Sequence, residues 1–187
     1  SHQTVFLVST EGKAAAIHSL AIPVQKNGEQ GIAAHKLSPL NEEDVLQGIF
    51  CVPMDRGKLP ETFVLTISRQ GMVKRSALQE LPGASANSFV LTKVNDGDEL
   101  FQVLLTNGKQ DILMTTATGM SIRFNESEIR PMGLIAAGVN GLKLKEGDYV
   151  VGVSLVDNKD SVALLTRKGL AKRVKAEDYP IQGRYGQ

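Results

Sequence analysis

Short, continuous apolar runs rather than alternating ones set the pattern of this chain. Val5–Ser9, Phe63–Ser68, Ile112–Thr116 and Val162–Thr166 are β-branched or apolar at successive positions, as expected of strands buried on both faces. Each run ends in a hydroxyl with a glycine three residues on: Ser9 and Gly12, Ser68 and Gly71, Thr116 and Gly119, Thr166 and Gly169. The hydroxyl can accept a nearby backbone N–H, and glycine takes a positive φ without penalty, so each pair predicts a tight turn. Second strands are predicted at Met72–Arg75, Met120–Phe124 and Leu170–Val174, which makes each glycine the tip of a hairpin. A proline follows in every copy (Pro23, Pro82, Pro131, Pro180) and is expected to close the second strand, because it cannot donate to a ladder. The runs Val45–Val52, Glu99–Thr106 and Tyr149–Val156 supply a further strand each, and Gly28 to Gly31 and Gly133 to Gly141 read as loops. Only Ser76–Leu81 and Glu126–Ile129 suggest a single helical turn.

The turn glycines recur at intervals of about fifty residues, the size of a propeller blade. Five other features hold register with them: the β-branched residues Val5, Val64, Ile112 and Val162; the hydroxyls; the prolines; the pairs Lys36-Leu37, Lys93-Val94 and Lys143-Leu144; and the acids Asp44, Asp98 and Asp148. Such a register predicts an all-β, propeller-like repeat of four-stranded blades, in a partial array of three to four. The expected organisation is one repeat domain over 1–187, with units near 1–43, 44–97, 98–147 and 148–187.

Composition removes several function classes. One cysteine, Cys51, allows no internal disulfide and sits in an apolar strand with no basic neighbour. His2, His18 and His35 have no metal-ligand spacing, and Gly138-Val-Asn-Gly lacks the strand-then-helix context of a phosphate loop. No catalytic residue, cofactor site or metal site is therefore expected. No apolar run approaches a membrane span and no signal-peptide pattern opens the chain, so a soluble, intracellular setting is expected. Lys and Arg number 21 against 20 Asp and Glu, so any affinity for nucleic acid must come from cations sorted onto one surface rather than from bulk charge.

Three stretches carry a resemblance: Asp111-Ile-Leu-Met-Thr-Thr-Ala-Thr-Gly119, Ile122-Arg-Phe-Asn-Glu-Ser-Glu-Ile-Arg-Pro-Met-Gly133 and Gly138-Val-Asn-Gly-Leu-Lys-Leu-Lys-Glu-Gly-Asp148. Together they resemble the central blades of the C-terminal domain found in the A subunits of bacterial type IIA topoisomerases, DNA gyrase and topoisomerase IV. Ile22-Pro23 with Gly31-Ile-Ala-Ala, and Gly169-Leu-Ala-Lys-Arg-Val with Asp178-Tyr-Pro, fit the flanking blades. The resemblance implies a β-pinwheel, a propeller variant whose blades exchange strands. It further implies a non-catalytic domain that wraps and bends duplex DNA on a basic outer rim and presents it for strand passage. The implied partners are sequence-tolerant duplex DNA, an ATPase B subunit, and the rest of the A subunit, in the cytoplasm and at the nucleoid. Gyrases carry a basic heptapeptide, Gln-Arg-Arg-Gly-Gly-Lys-Gly; its nearest counterparts here are Gln25-Lys-Asn-Gly-Glu-Gln-Gly31 and Gln182-Gly-Arg-Tyr-Gly-Gln187, both poor in charge. The choice between gyrase and topoisomerase IV stays open on these residues, although the blade text leans toward gyrase.

DNA held without sequence choice is gripped at its phosphates by Lys and Arg. Four residues after the turn glycine stand Arg75, Arg123 and Arg173, with Lys74 and Lys172 one position earlier. A cation repeated at one blade position would form an arc, which suits a bent duplex. The first unit has Ala16 at that place and offers Lys13 and His18 instead; Arg69, Arg167 and Lys168 flank hairpin tips, Arg130 precedes a proline and Arg184 lies near the end. Lys36, Lys93 and Lys143 are a second repeated set that could either touch DNA or simply extend into solvent. The acids at 44, 98 and 148 read as turn formers. A propeller-like protein-interaction scaffold that ignores DNA is the competing expectation.

Overall fold

The computed structural model describes residues 2–186. Its unit is the predicted hairpin: β1 (Gln3–Ser9) with β2 (Lys13–His18), then, after β3 (Leu46–Pro53), β4 (Phe63–Ser68) with β5 (Met72–Ala77). The series continues with β6 (Phe89–Val90), β7 (Leu100–Thr106), β8 (Asp111–Thr116), β9 (Ser121–Asn125), β10 (Val139–Asn140), β11 (Val150–Val156), β12 (Ser161–Leu165) and β13 (Ala171–Lys175). At the tips, Gly12, Gly71, Gly119 and Gly169 all have φ between +79° and +88°. Ser68, Thr116 and Thr166 accept the N–H four residues on through their side-chain oxygens, which is the bond the turn pattern predicts.

Four antiparallel sheets result, in strand order β3-β1-β2-β6, β10-β5-β4-β7, β11-β8-β9 and β12-β13. Strands are exchanged. β6 leaves the second unit to pair with β2 of the first (Lys13↔Val90, Ala14↔Phe89), and β10 leaves the third to pair with β5 of the second (Val139↔Val73). The exchange follows one register, with Ser85, Met132 and Gln182 donating N–H to the carbonyls of Ala16, Arg75 and Arg123. The turn glycines allow it: Leu91 and Thr92 donate to Gly12 O, and Gly141 to Gly71 O, approaches that a side chain at the tip would block.

Two corrections to the sequence reading follow. The strands β3, β7 and β11 pair with the hairpin before them, so Leu46–Pro53, Leu100–Thr106 and Val150–Val156 belong with the preceding hairpin rather than opening a new unit near 44, 98 and 148. The prolines do not end the second strands. Short 3₁₀ turns at Leu78–Glu80, Glu126–Glu128 and Ala176–Asp178 do so, and Pro131 then opens the exchanged segment by bridging to Arg75.

The cores lie between sheets. Phe6, Val8, Ala14 and Ala16 meet Val64, Leu78 and Leu100, with Leu91 of the exchanged segment packed among them. Leu65, Ile67 and Val73 meet Ile112, Met114, Ile122 and Phe124 in the next interface. A strand such as β4 is therefore buried at every position, which explains its unbroken apolar run. The other face of the first sheet (Val5, Leu7, Ala15, Ile17) is covered by Leu40 and by a helical turn, α1 (Ala34–Leu37), that the sequence pattern did not suggest. β3 and β7 run side by side, with Gln47 Nε2 donating to Phe101 O at 2.7 Å. They mark the edge where sheets converge, and β6 and β10 lie on the opposite, outer edge.

Candidate nucleic-acid interface

The first three of the four hairpin tips are held by the repeated acid. Asp44 Oδ2 accepts Lys13 Nζ at 2.7 Å, Asp98 Oδ1 accepts Gln70 N, and Asp148 accepts the N–H and hydroxyl of Thr118. Burial opposes the Asp148 charge, but the hydroxyls of Thr116 and Thr118 and the N–H groups of Thr118 and Tyr149 bring its carboxyl down to about 2. Lys13 holds Asp44 below the ordinary carboxylate range, more strongly than burial raises it. The acids thus turn toward backbone and staple the turn to the strand after it.

The cations expected to form the arc divide sharply by exposure. Arg123 is 3% exposed. Its Nε and Nη2 donate to Asp111 Oδ2 at 3.1 and 2.8 Å, Nη2 also donates to Asn158 Oδ1, and Nη1 donates to Ala176 O at 2.8 Å. Arg75 is 7% exposed, stacked on the Phe63 ring at 4.6 Å, bonded to Gly108 O and 3.9 Å from Glu126 Oε2. Lys74 is 1% exposed and donates to the carbonyls of Leu91, Gly133 and Leu134, so one ammonium ties two exchanged segments together. Burial drives that ammonium down to about 8, with Glu80 working the other way. These three side chains are engaged between sheets and do not face solvent, contrary to the expectation that they touch DNA. Their repetition reflects a repeated interface.

Arg173, at the same register, is exposed on β13, as is Lys172 beside it. His18, Arg130, Arg167 and Lys168 are exposed too. Lys13 is half-buried in its pair with Asp44, Arg184 is half-buried and bonded to Asn140 O, and Arg69 lies over Phe101 at 4.2 Å while donating to Val150 O. The second repeated set fares differently. Lys36, Lys93 and Lys143 are all exposed, and Lys93 sits where the exchanged segments run together at the outer edge, its N–H donating to Ala136 O.

Two features escaped the sequence reading. Lys58, Lys109 and Lys159 recur, exposed, in the connectors at the ends of the strands away from the tips; their near-regular spacing was the available signal. Arg56 comes from the first connector, reaches Leu81 O at 2.6 Å and Pro82 O at 2.9 Å, and lies over Phe6 at 5.2 Å. Burial lowers its pKa. It supplies to the 3₁₀ turn of the second unit the guanidinium that Arg123 supplies to that of the fourth, in the one blade whose strand has Ala16 instead of arginine. Among the described residues no group of three His, Cys, Asp or Glu stands close enough to hold a metal ion, and no helix is long and apolar enough to cross a membrane.

Strand exchange between successive antiparallel sheets, with stapled hairpin tips, defines the class as a propeller-type β repeat of pinwheel form. Residues 3–53, 62–107, 110–157 and 160–187 match the family described as DNA gyrase C-terminal domain, beta-propeller, and the chain belongs to that family. The first three matched repeats begin at the first strand of a hairpin and end at β3, β7 and β11. Relatives include the DNA gyrase A protein of Staphylococcus epidermidis, 31% identical over 189 residues that take in all of this chain and 21% of the relative, and that of Aminobacterium colombiense, 31% identical over 186 residues and 22% of its length. The chain thus spans about a fifth of the length of the curated relatives it matches. Among solved structures, the C-terminal domain of a DNA topoisomerase IV superposes with TM-score 0.88 at 24% identity, covering 98% of this chain and 56% of that one. A DNA gyrase A C-terminal domain gives 0.78 at 22% identity, covering 98% and 58%. These likenesses carry the fold.

Proposed function

We propose that this chain binds duplex DNA without sequence choice, along the outer edge where its exchanged strands lie, as the wrapping module of a type IIA topoisomerase of the gyrase kind. The observation that carries the reading is the exposed pair Lys93 and Lys143, each just after an exchanged strand at that edge in a chain of the gyrase C-terminal family, with Lys36 exposed at the same register on α1. Arg130, Arg167, Lys168, Lys172 and Arg173 extend the contact surface. One cation at a fixed offset per blade favours a curved path; bending a site of about 20–30 base pairs costs on the order of 1–6 kcal/mol, which several phosphate contacts must offset. The remaining domains of the enzyme, an ATPase B subunit included, would supply cleavage and ATP-driven strand passage, with the bent duplex as the presented segment, in the cytoplasm and at the nucleoid. The domain itself contributes no bond chemistry.

The test is a duplex-binding titration at several salt concentrations, for the wild type and for Lys93→Glu with Lys143→Glu. The slope of log K on log salt should fall by about 0.9 for each phosphate contact removed. Binding that is absent at low salt, or unchanged in the double variant, overturns the reading and leaves the protein-interaction scaffold in its place.

A further inference from the structure

The three stapling acids are equivalent in register, yet their second carboxylate oxygens meet different surroundings. In the first unit Asp44 Oδ2 holds the ammonium of Lys13, one residue past the turn glycine. In the third, Asp148 Oδ2 accepts the Thr118 hydroxyl, one residue before it. The second unit has neither group, because those positions are Met72 and Gln70. There Asp98 Oδ1 accepts the N–H groups of Gln70 and Glu99, but Oδ2 is buried without a hydrogen-bond partner among the described residues. A cavity of about 10 Å³, room for a single water-sized occupant, lies beside it, lined by Thr66, Ser68, Met72, Thr92 and Asn95.

We propose that this cavity is a binding site for one small monovalent cation of sodium size, held by Asp98 in the place that the Lys13 ammonium occupies in the first unit. The flanking residues Asp96 and Glu99 add negative charge. Lys93 borders the cavity but is exposed and forms no ion pair with Asp98, and the Arg69 guanidinium is engaged by Phe101, Tyr149 and Val150 O. Ser68 Oγ accepts the Met72 N–H and keeps a second lone pair, and Thr66, Thr92 and Asn95 line the cavity beside the apolar Val94, Leu100 and Ala137. Hydration and the single carboxylate argue against the divalent alternatives. Mg²⁺ retains several waters, for which there is no room, and Ca²⁺ takes six to eight oxygens, where only one carboxylate faces the cavity. The ion would fix the second hairpin tip to the segment that carries Lys93, and it would do so whether or not DNA is bound.

Thermal unfolding of the whole chain in sodium, potassium and tetramethylammonium chloride at equal ionic strength tests it. Saturable stabilisation by sodium of about 2–4 °C over the tetramethylammonium salt is expected. Asp98→Asn should abolish the difference. Met72→Lys, which copies the first unit, should abolish it while melting no lower than wild type in sodium. Equal melting in all three salts, or a sodium effect that survives in both variants, overturns the proposal.

Discussion

Arg123→Met separates a buried clasp from a DNA contact. The substitution keeps an unbranched apolar stem of similar reach but removes the guanidinium from Asp111, Asn158 and Ala176 O. Asp111 is 13% exposed at its side chain and would lose its ion pair, although Asn125 Nδ2 still donates to Oδ1 at 2.8 Å. Removing one partner of a buried pair costs about 3–5 kcal/mol. Because Asn125 keeps part of the carboxylate satisfied, the lower end, about 3 kcal/mol, is expected here. With an m-value of about 2 kcal/mol/M, that moves the urea midpoint down by roughly 1.5 M with the slope unchanged. For protein still folded at low temperature, duplex affinity and its salt dependence should match the wild type. The opposite pattern would refute the reasoning: less than about 1 kcal/mol of lost stability together with a salt slope reduced by about 0.9, the signature of a phosphate contact. The same logic disqualifies reversal of Arg75 and Arg123 to glutamate as a probe of DNA binding, because the unfolded chain that results would fail to bind for the wrong reason.

Other outcomes follow from the same geometry. Lys74 has its ammonium pKa lowered on folding from 10.5 to about 8, so the unfolded chain holds more protons between those values and stability rises with pH across that window. Urea titrations from pH 7.5 to 10.5 should show this rise, at most about 3 kcal/mol, in the wild type and not in Lys74→Met. Asp148 has a depressed pKa, so its contribution is full above about 4 and is lost as pH falls toward 2; acid unfolding of Asp148→Asn should lack that component. Gly138 combines φ +94° with a backbone approach to Val73 O, whereas Gly169, at φ +82°, has open space around it. Gly138→Ala should therefore cost well over the roughly 1–2 kcal/mol of left-handed strain expected for Gly169→Ala, and should expose the β10 amides to hydrogen exchange.

The hairpins were legible because their signal is local. A β-branched run, a hydroxyl and a glycine fix strand, turn bond and positive φ within about ten residues; strand and glycine stand where the pattern put them in all four copies, and the turn bond in three, Ser9 Oγ being buried without a partner among the described residues. The strand exchange was carried by family resemblance, since two-residue strands such as Phe89–Val90 leave no periodicity to read. The fate of Arg75 and Arg123 was illegible for a more general reason. In a stack of repeats, a position that recurs on the surface and one that recurs at every interface have the same spacing in sequence. Burial among carbonyls distinguishes them, and those carbonyls belong to the neighbouring unit: Gly108 for Arg75, Ala176 for Arg123. Arg56 was hidden in the converse way, since it fills an interface role from outside the register.

Charge balance limits how the domain would hold DNA under the proposed function. Lys74, Arg75 and Arg123 lie inside, so a chain of net charge +1 has no excess of free cations to give its outer surface. Binding must come from separation of charge. The hairpin-tip acids contribute to this: Asp98 and Asp148 aim at backbone N–H groups and Asp44 at Lys13, which ties these carboxylates to the turns while Lys93 and Lys143 extend into solvent nearby. Under the proposed function, affinity built in this way would rest on a few phosphate contacts and little long-range attraction, since at physiological ionic strength the field beyond about 8 Å is screened. Contacts of that kind would favour a duplex that already follows the curve of the blades, because a straight one would meet too few lysines at once to offset screening.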